Sequence, residues 1–305
     1  MTTAASVATR MRAAVLEAPG RTTTRELACP EPKPGETLVR IEGCGVCASD
    51  LPVWEGRPWF DYPLEPGAPG HEGWGTDVET GQRVALLSHH AYAEYVAMPS
   101  ELVVPLPPEL DGMPFPAEPL GCALNVFSRS GVRDGHTVAL VGTGFLGLLL
   151  VQLCVGAGAH TLAFSRRESA LERARVFGAE TPVEVPKESC DVVIEAGGVQ
   201  ETLDLAARLV RARGRLVIAG FHQDGPRTVD LQSWNWRGLD VVNAHERDPF
   251  VYLEAMRTAV GAVVAGKLDP RPLYTHVLPL EQLDEAFELV RTRPDGFVKA
   301  LVMPS

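Results

Sequence analysis

Residues 141–147 read Val-Gly-Thr-Gly-Phe-Leu-Gly, a G-x-G-x-x-G pattern between an apolar β-rich run and an apolar helical one. Gly142 permits a tight turn, Gly144 lets backbone approach a pyrophosphate, and Gly147 lets the helix lie on the strand. Phe145 and Leu146 open that helix, where free N–H groups face an anion. The bland alternative is a glycine turn with no ligand, but a strand before and a helix after are what the nucleotide-binding mechanism requires. The next strand runs out at Ser165-Arg166-Arg167. An acid here would accept from a ribose 2′-hydroxyl and repel a 2′-phosphate, whereas a hydroxyl and two guanidiniums donate to that phosphate. NADP(H) is therefore expected. Glu168 follows at once and keeps NAD possible, and the arginines could equally open a solvated helix. Cys47 and His71, in Gly-Cys-Gly-Val-Cys-Ala-Ser-Asp-Leu (43–51) and Pro-Gly-His-Glu-Gly (69–73), are natural zinc ligands as thiolate and neutral imidazole. Alone, such a pair is more often structural. Ala-Glu-Pro-Leu at 117–120 adds an acid 24 residues before Gly142.

Two kinds of chain must position these groups. Arg12–Glu17, Thr37–Gly43, Arg83–Leu87 and Ala91–Met98 read as strands, so the first hundred residues form a small β-rich domain. A Pro/Gly-dense loop at 56–70 interrupts it, and the Pro-rich stretch 105–119 can hold neither sheet nor long helix and marks a boundary. Strands at 136–142, 160–165, 190–198, 215–221 and 239–245 then alternate with helices at 145–158, 168–179, 201–214 and 249–267. That rhythm predicts an α/β fold with a parallel sheet covered on both faces. A helix over 281–293 and a strand over 297–304 close the chain, and residues 1–10 read as a disordered tail.

Composition narrows the class. The 305 residues carry 28 Lys+Arg against 39 Asp+Glu, a formal net charge of −11. That argues against affinity for nucleic acid or an anionic membrane. Six scattered cysteines fit a reducing, cytoplasmic setting better than a disulfide framework. The nearly uncharged run Val138–Phe164 is long enough to span a bilayer, but strand, glycine turn and buried helix explain it better. The first dozen residues lack the apolar core of a secretory signal.

Taken in order, the motifs resemble those of the zinc-dependent medium-chain dehydrogenase/reductase superfamily, nearest its polyol, glucose and threonine dehydrogenase branches. They are Arg-Ala-Ala-Val-Leu-Glu-Ala-Pro-Gly (12–20), G-C-x-x-C-x-S-D (43–50), Gly-His-Glu (70–72), Gly-Gln-Arg-Val (81–84), Ala-Glu-Tyr-Val (93–96), Glu-Pro-Leu (118–120), the glycine turn and Asp-Val-Val-Ile-Glu-Ala-Gly-Gly (191–198). The resemblance implies a GroES-like β-barrel domain from 11–124 and 272–305 and a Rossmann domain from 125–271. It also implies a homodimer paired through the nucleotide domains. Cys47 and His71 match catalytic zinc ligands. Glu72 matches the acid that ligates or braces, and Glu118 the Glu that replaces a second cysteine, with Cys122 a competing candidate. Asp50 matches an acid that orients the histidine, and Ser49 the hydroxyl that takes the substrate proton. One thiolate, one carboxylate and a neutral imidazole cancel the +2 of zinc, leaving a neutral site for a substrate alkoxide.

Two departures stand out. Seven residues separate Val84 from Tyr92 where most members carry a four-cysteine lobe, so one catalytic zinc and no structural zinc is expected. Pro52 replaces a relay histidine and carries no proton, leaving His89, His90 and His245 as weak substitutes. Trp54, Trp59, Phe60 and Tyr62 either line the substrate cleft or plug the core. The leading expectation is a zinc-dependent NADP(H) alcohol or polyol dehydrogenase acting on a polyol, cyclitol or sugar-like small molecule. The rivals are a redox-neutral epimerase with retained NADP, a zinc-free quinone or enone reductase, and a non-enzymatic NADPH sensor.

Overall fold

The structure, a computed structural model, describes residues 8–184 and 186–304. The expected tail lies outside these except for its last three residues, and Arg10 already begins the first strand. Two compact units emerge: one from the described part of 1–119 with 249–260 and 271–304, the other from the described part of 120–248 with 261–270. Residues 249–260 thus group with the first unit, where the sequence placed them in the second.

The first unit is built of strands β1 (Arg10–Ala18), β2 (Arg21–Ala28) and β3 (Glu36–Gly45), then the short helix α1 (Leu51–Trp54). Strands β4 (Glu72–Asp77), β5 (Arg83–Leu86), β6 (Tyr95–Pro99) and β7 (Val103–Pro105) follow, and helix α2 spans Ala117–Ser130, its residues from Leu120 on grouping with the second unit. β1 and β2 form an antiparallel hairpin turning at Gly20, whose φ of +66° suits glycine. β3 is the hub: it pairs antiparallel with β4 and with β6. The chain's end returns to this sheet as β13 (Tyr274–Pro279), helix α8 (Leu283–Thr292) and β14 (Lys299–Met303), giving the order β13-β14-β3-β4-β5-β7 with β6 on β3. In α8, Leu283, Ala286, Phe287 and Val290 are buried at helical spacing. Phe287 stacks on Trp54, whose Nε1 donates to Asp284 Oδ1 at 2.8 Å. Trp54 is therefore core; Tyr62, half-buried, packs against that core and donates to Val53 O, and Trp59 stays 62% exposed against Phe60.

The second unit holds β8 (Thr137–Val141), α3 (Phe145–Gly156), β9 (His160–Phe164), α4 (Glu168–Val176), β10 (Cys190–Glu195), α5 (Gln200–Leu209), β11 (Val210–Ile218), α6 (Leu231–Arg237) and β12 (Asp240–Asn243). Helix α7 spans Pro249–Val264, of which residues 249–260 group with the first unit. The five strands run parallel in the order β12-β11-β10-β8-β9, so the doubly wound reading of the fold stands. Ala139, Val193, Leu203, Ala206 and Leu216 pack one core cluster. The uncharged run 138–164 is β8, a turn, α3 and β9. Leu148–Val151 and Cys154 in α3 are buried, and burial pushes the Cys154 thiol up to about 12. Among the described residues no helix is long and apolar enough to cross a membrane.

Helix α5 is shorter than its periodicity predicts. Val210–Arg213 continue the apolar period of α5, yet Val210 pairs with Cys190 and Arg211 Nε donates to Asp191 Oδ1 at 2.7 Å. Sheet pairing outweighs helix propensity there. Conversely, α2 begins inside the Pro-rich stretch because Pro119 falls in the first turn, where its missing N–H costs nothing.

Candidate active site

In the first unit, strand register brings the metal-type residues together. Gly45 opposes Glu72 across β3 and β4, so Cys47, two residues past Gly45, meets His71, one before Glu72. One ligand atom each from Cys47, His71 and Glu72 lie within 4.8 Å of one another, the one such cluster found among the described residues. His71 Nδ1 sits 3.1 Å from Asp50 Oδ1 and 3.2 Å from Pro69 O. With both acceptors on Nδ1–H, the ring is oriented and Nε2 is left basic. Asp50 is buried and accepts from Tyr92 Oη at 3.2 Å. Burial works against the His71 cation, but the carboxylate of Asp50 and the Cys47 sulfur outweigh it and hold its pKa well above the ordinary value.

Sequence reasoning missed Lys299. It is buried in β14, its Nζ 2.6 Å from Glu72 Oε1 and 2.5 Å from Oε2. The ion pair engages both oxygens, yet Oε2 lacks a properly directed hydrogen bond and is buried. Gly45 makes room for it, since a Cβ there would collide with Oε2. Burial disfavours the ammonium, but Glu72, Cys47 and Glu118 raise its pKa above the usual lysine value. The signal was a single lysine inside the apolar run Phe297–Met303. Glu118, in the first turn of α2, is buried and reaches Lys299 electrostatically, but stands outside the three-residue ligand group. Ser49 is half-buried in the turn Ala48–Asp50. His89 brings its ring 6.1 Å from that of His71, and burial with the nearby His71 lowers its pKa. His90 is exposed and bonds Pro66 O at 3.2 Å. A thiol, an imidazole and a carboxylate, one atom of each within 4.8 Å of the others, form a donor set that fits zinc.

In the second unit the glycine turn is a cradle. Gly142 has φ +104°, and a Cβ there would lie 2.7 Å from Gly197 N. A Cβ on Gly147 would strike Gly142 O, so helix and turn meet backbone to backbone. Over Gly144 nothing lies within 4 Å, and the buried Thr143 hydroxyl has no hydrogen-bond partner. Phe145 and Leu146 are the half-buried first residues of α3. Gly142 N donates to Phe164 O at 2.9 Å, which brings Ser165, exposed Arg166 and half-buried Arg167 beside the turn. Glu168, the acid that would oppose a phosphate, is paired with Arg175 at 2.6 Å. Open space at a helix N-terminus flanked by guanidiniums fits a phosphorylated dinucleotide.

Residues 33–108 match the family model described as the alcohol dehydrogenase GroES-like domain, and 146–260 that of the zinc-binding dehydrogenases; together they span well over half of the chain. The chain is 26% identical to L-threonine 3-dehydrogenase of Bacillus velezensis over 92% of its length and 95% of that protein's. It is 27% identical to human sorbitol dehydrogenase, over 90% and 91%. Among solved structures, a protein from Sinorhizobium meliloti described as a zinc-binding dehydrogenase and bound to NADP superposes with a TM-score of 0.83. It is 29% identical, over 97% of this chain and all of that one.

Proposed function

The chain belongs to the zinc-dependent medium-chain dehydrogenase/reductase superfamily and is an oxidoreductase of alcohols, and from that premise we propose an NADP(H)- and zinc-dependent dehydrogenase of secondary alcohols and ketones, suited to polyol, cyclitol or sugar-like substrates. The observation that carries this is the convergence of Cys47, His71 and Glu72 within 4.8 Å with Asp50 on the histidine's far nitrogen. The NADP bound by the Sinorhizobium relative supports the cofactor, as does the diversion of Glu168 to Arg175.

Cys47 and His71 are the zinc ligands of this reading. Lys299 already neutralises Glu72, so Glu118 is the better second anion and Glu72 the brace. Zinc held there would supply Lewis acidity toward an alcohol oxygen, and a nicotinamide would supply the hydride acceptor. Asp50 keeps His71 in the tautomer that leaves Nε2 free. Ser49 accepts the substrate hydroxyl proton. Pro52 cannot pass it on, so the proton leaves by water or another group. Gly142, Gly144, Phe145, Leu146 and Gly147 receive the diphosphate, and Ser165, Arg166 and Arg167 the 2′-phosphate. Residues 120–248 and 261–270 act as the nucleotide domain, and the first unit as the catalytic one, in a cytoplasmic homodimer. The dimer reading draws on β12, the edge of its sheet, and on Trp236 in the preceding helix, 90% exposed.

Initial rates with NADP+ and NAD+ across cyclic polyols, open-chain polyols and short aliphatic alcohols test this. Expected is turnover with a cyclic or sugar-like polyol and a preference for NADP+ that falls in Arg166→Ala/Arg167→Ala. Faster turnover of short alcohols than of every polyol contradicts the substrate class, and NAD+ preference in the unaltered chain contradicts the cofactor.

A further inference from the structure

A buried network in the second unit ties together the loops at the carboxyl ends of β10 and β11. Glu195, the last residue of β10, has no solvent exposure. Its Oε1 accepts from Gly197 N (2.8 Å), Gly198 N (2.7 Å) and Thr202 Oγ1 (2.6 Å). Its Oε2 lies 3.0 Å from His222 Nε2. Arg227 Nε donates to His222 Nδ1 at 2.9 Å, its Nη2 donates to Gly198 O at 2.9 Å, and it pairs with Asp224. A guanidinium has no acceptor, so Nδ1 must be the bare nitrogen and Nε2 carries the proton given to Glu195. His222 is held in one tautomer and one orientation. Glycines close the arrangement: a Cβ on Gly220 would fall 2.5 Å from Glu195 Oε2, and one on Gly198 2.8 Å from Phe221 O.

The network stands beside the nucleotide crevice, since the 196–197 backbone abuts Gly142. A doubly wound sheet binds one mononucleotide on each half. β8 and β9, with Ser165–Arg167, make the phosphorylated-adenosine half; β10, β11 and β12 make the other. There Phe221, next to His222, is 56% exposed, its ring 6.5 Å from that of His245. An exposed aromatic face on a loop pinned from below is a platform for a flat heteroaromatic ring.

We propose that His222, held between Glu195 and Arg227, is a positioning residue for the nicotinamide half of the cofactor, acting through the loop that presents Phe221. This rests on the dinucleotide reading above. The test titrates NADPH and, separately, adenosine 2′,5′-bisphosphate against the full chain and its His222→Ala, His222→Gln and Phe221→Ala variants. Glutamine keeps an N–H able to reach Glu195. His222→Ala is expected to weaken NADPH about tenfold, leave the bisphosphate and the metal content unchanged, and be largely rescued in His222→Gln. Phe221→Ala, an exposed change that leaves folding intact, is expected to lose NADPH affinity in the same selective way. An unchanged NADPH affinity in His222→Ala or, should that variant not fold, in Phe221→Ala overturns the inference. So does an equal loss of both ligands, which marks damage to the glycine turn. An unaltered chain that binds neither NADPH nor NADH overturns the dinucleotide reading itself.

Discussion

The two units solve opposite problems. The metal-type site of the first is made of charges taken out of water: Asp50 on His71, Lys299 on Glu72, with Cys47 and Glu118 within their field. The glycine site of the second is made of backbone and empty space, with charges kept to its rim at Arg166 and Arg167. A site of buried charge fails when one partner is removed, because the other is stranded. A site of open backbone fails when something fills it. The same size of side-chain change should therefore damage folding in one unit and cofactor binding in the other.

The sharpest way to break this contrast is Lys299→Met. Stranding the Glu72 carboxylate should cost about 3–5 kcal/mol in urea unfolding, and adding Glu72→Gln should restore much of it. An additive double variant would show that the pair is not coupled. Next is Gly147→Ala, whose Cβ meets the Gly142 carbonyl. NADPH affinity should fall about a hundredfold while metal content holds; equal loss of both would erase the distinction between the units. Gly144→Ala refines the point, since no atom lies within 4 Å of its Cβ. Its melting temperature should match the parent, with NADPH binding about tenfold weaker.

The smallest effect concerns acid. Burial pushes the Asp77 carboxyl up, but bonds from Thr37 and Thr80 outweigh it and hold it below its ordinary value. A lowered folded pKa contributes stability above the usual aspartate range that is lost as pH falls through the lowered value. Thr37→Val should cost about 1 kcal/mol at neutral pH, a deficit that shrinks in acid. A deficit independent of pH would assign it to packing alone.

How much was legible follows the same divide. Periodicity and glycines are local signals, so β8, the turn, α3 and β9 were readable within a residue or two, and G-x-G-x-x-G declared its own geometry. Val210–Arg213 misled because their pairing with Cys190 and Asp191 is a tertiary fact. In the first unit, Cys47 and His71 were visible as residue types. Their meeting depends on the Gly45–Glu72 register. Lys299 lies 227 positions from the carboxylate it neutralises, and no local pattern names that partner. The aromatic loop divided: Trp54 sits in the core and Tyr62 packs against it, which a Pro/Gly-rich context concealed, and Trp59 remains outside.

The central claim, that Cys47 and His71 hold a catalytic zinc, is tested most directly by metal content of the purified chain by mass spectrometry, beside Cys47→Ser and His71→Ala prepared identically. About one zinc per chain, lost in both variants while NADPH binding persists, is the predicted result. No zinc in a zinc-replete preparation, or zinc retained by both variants, would contradict it.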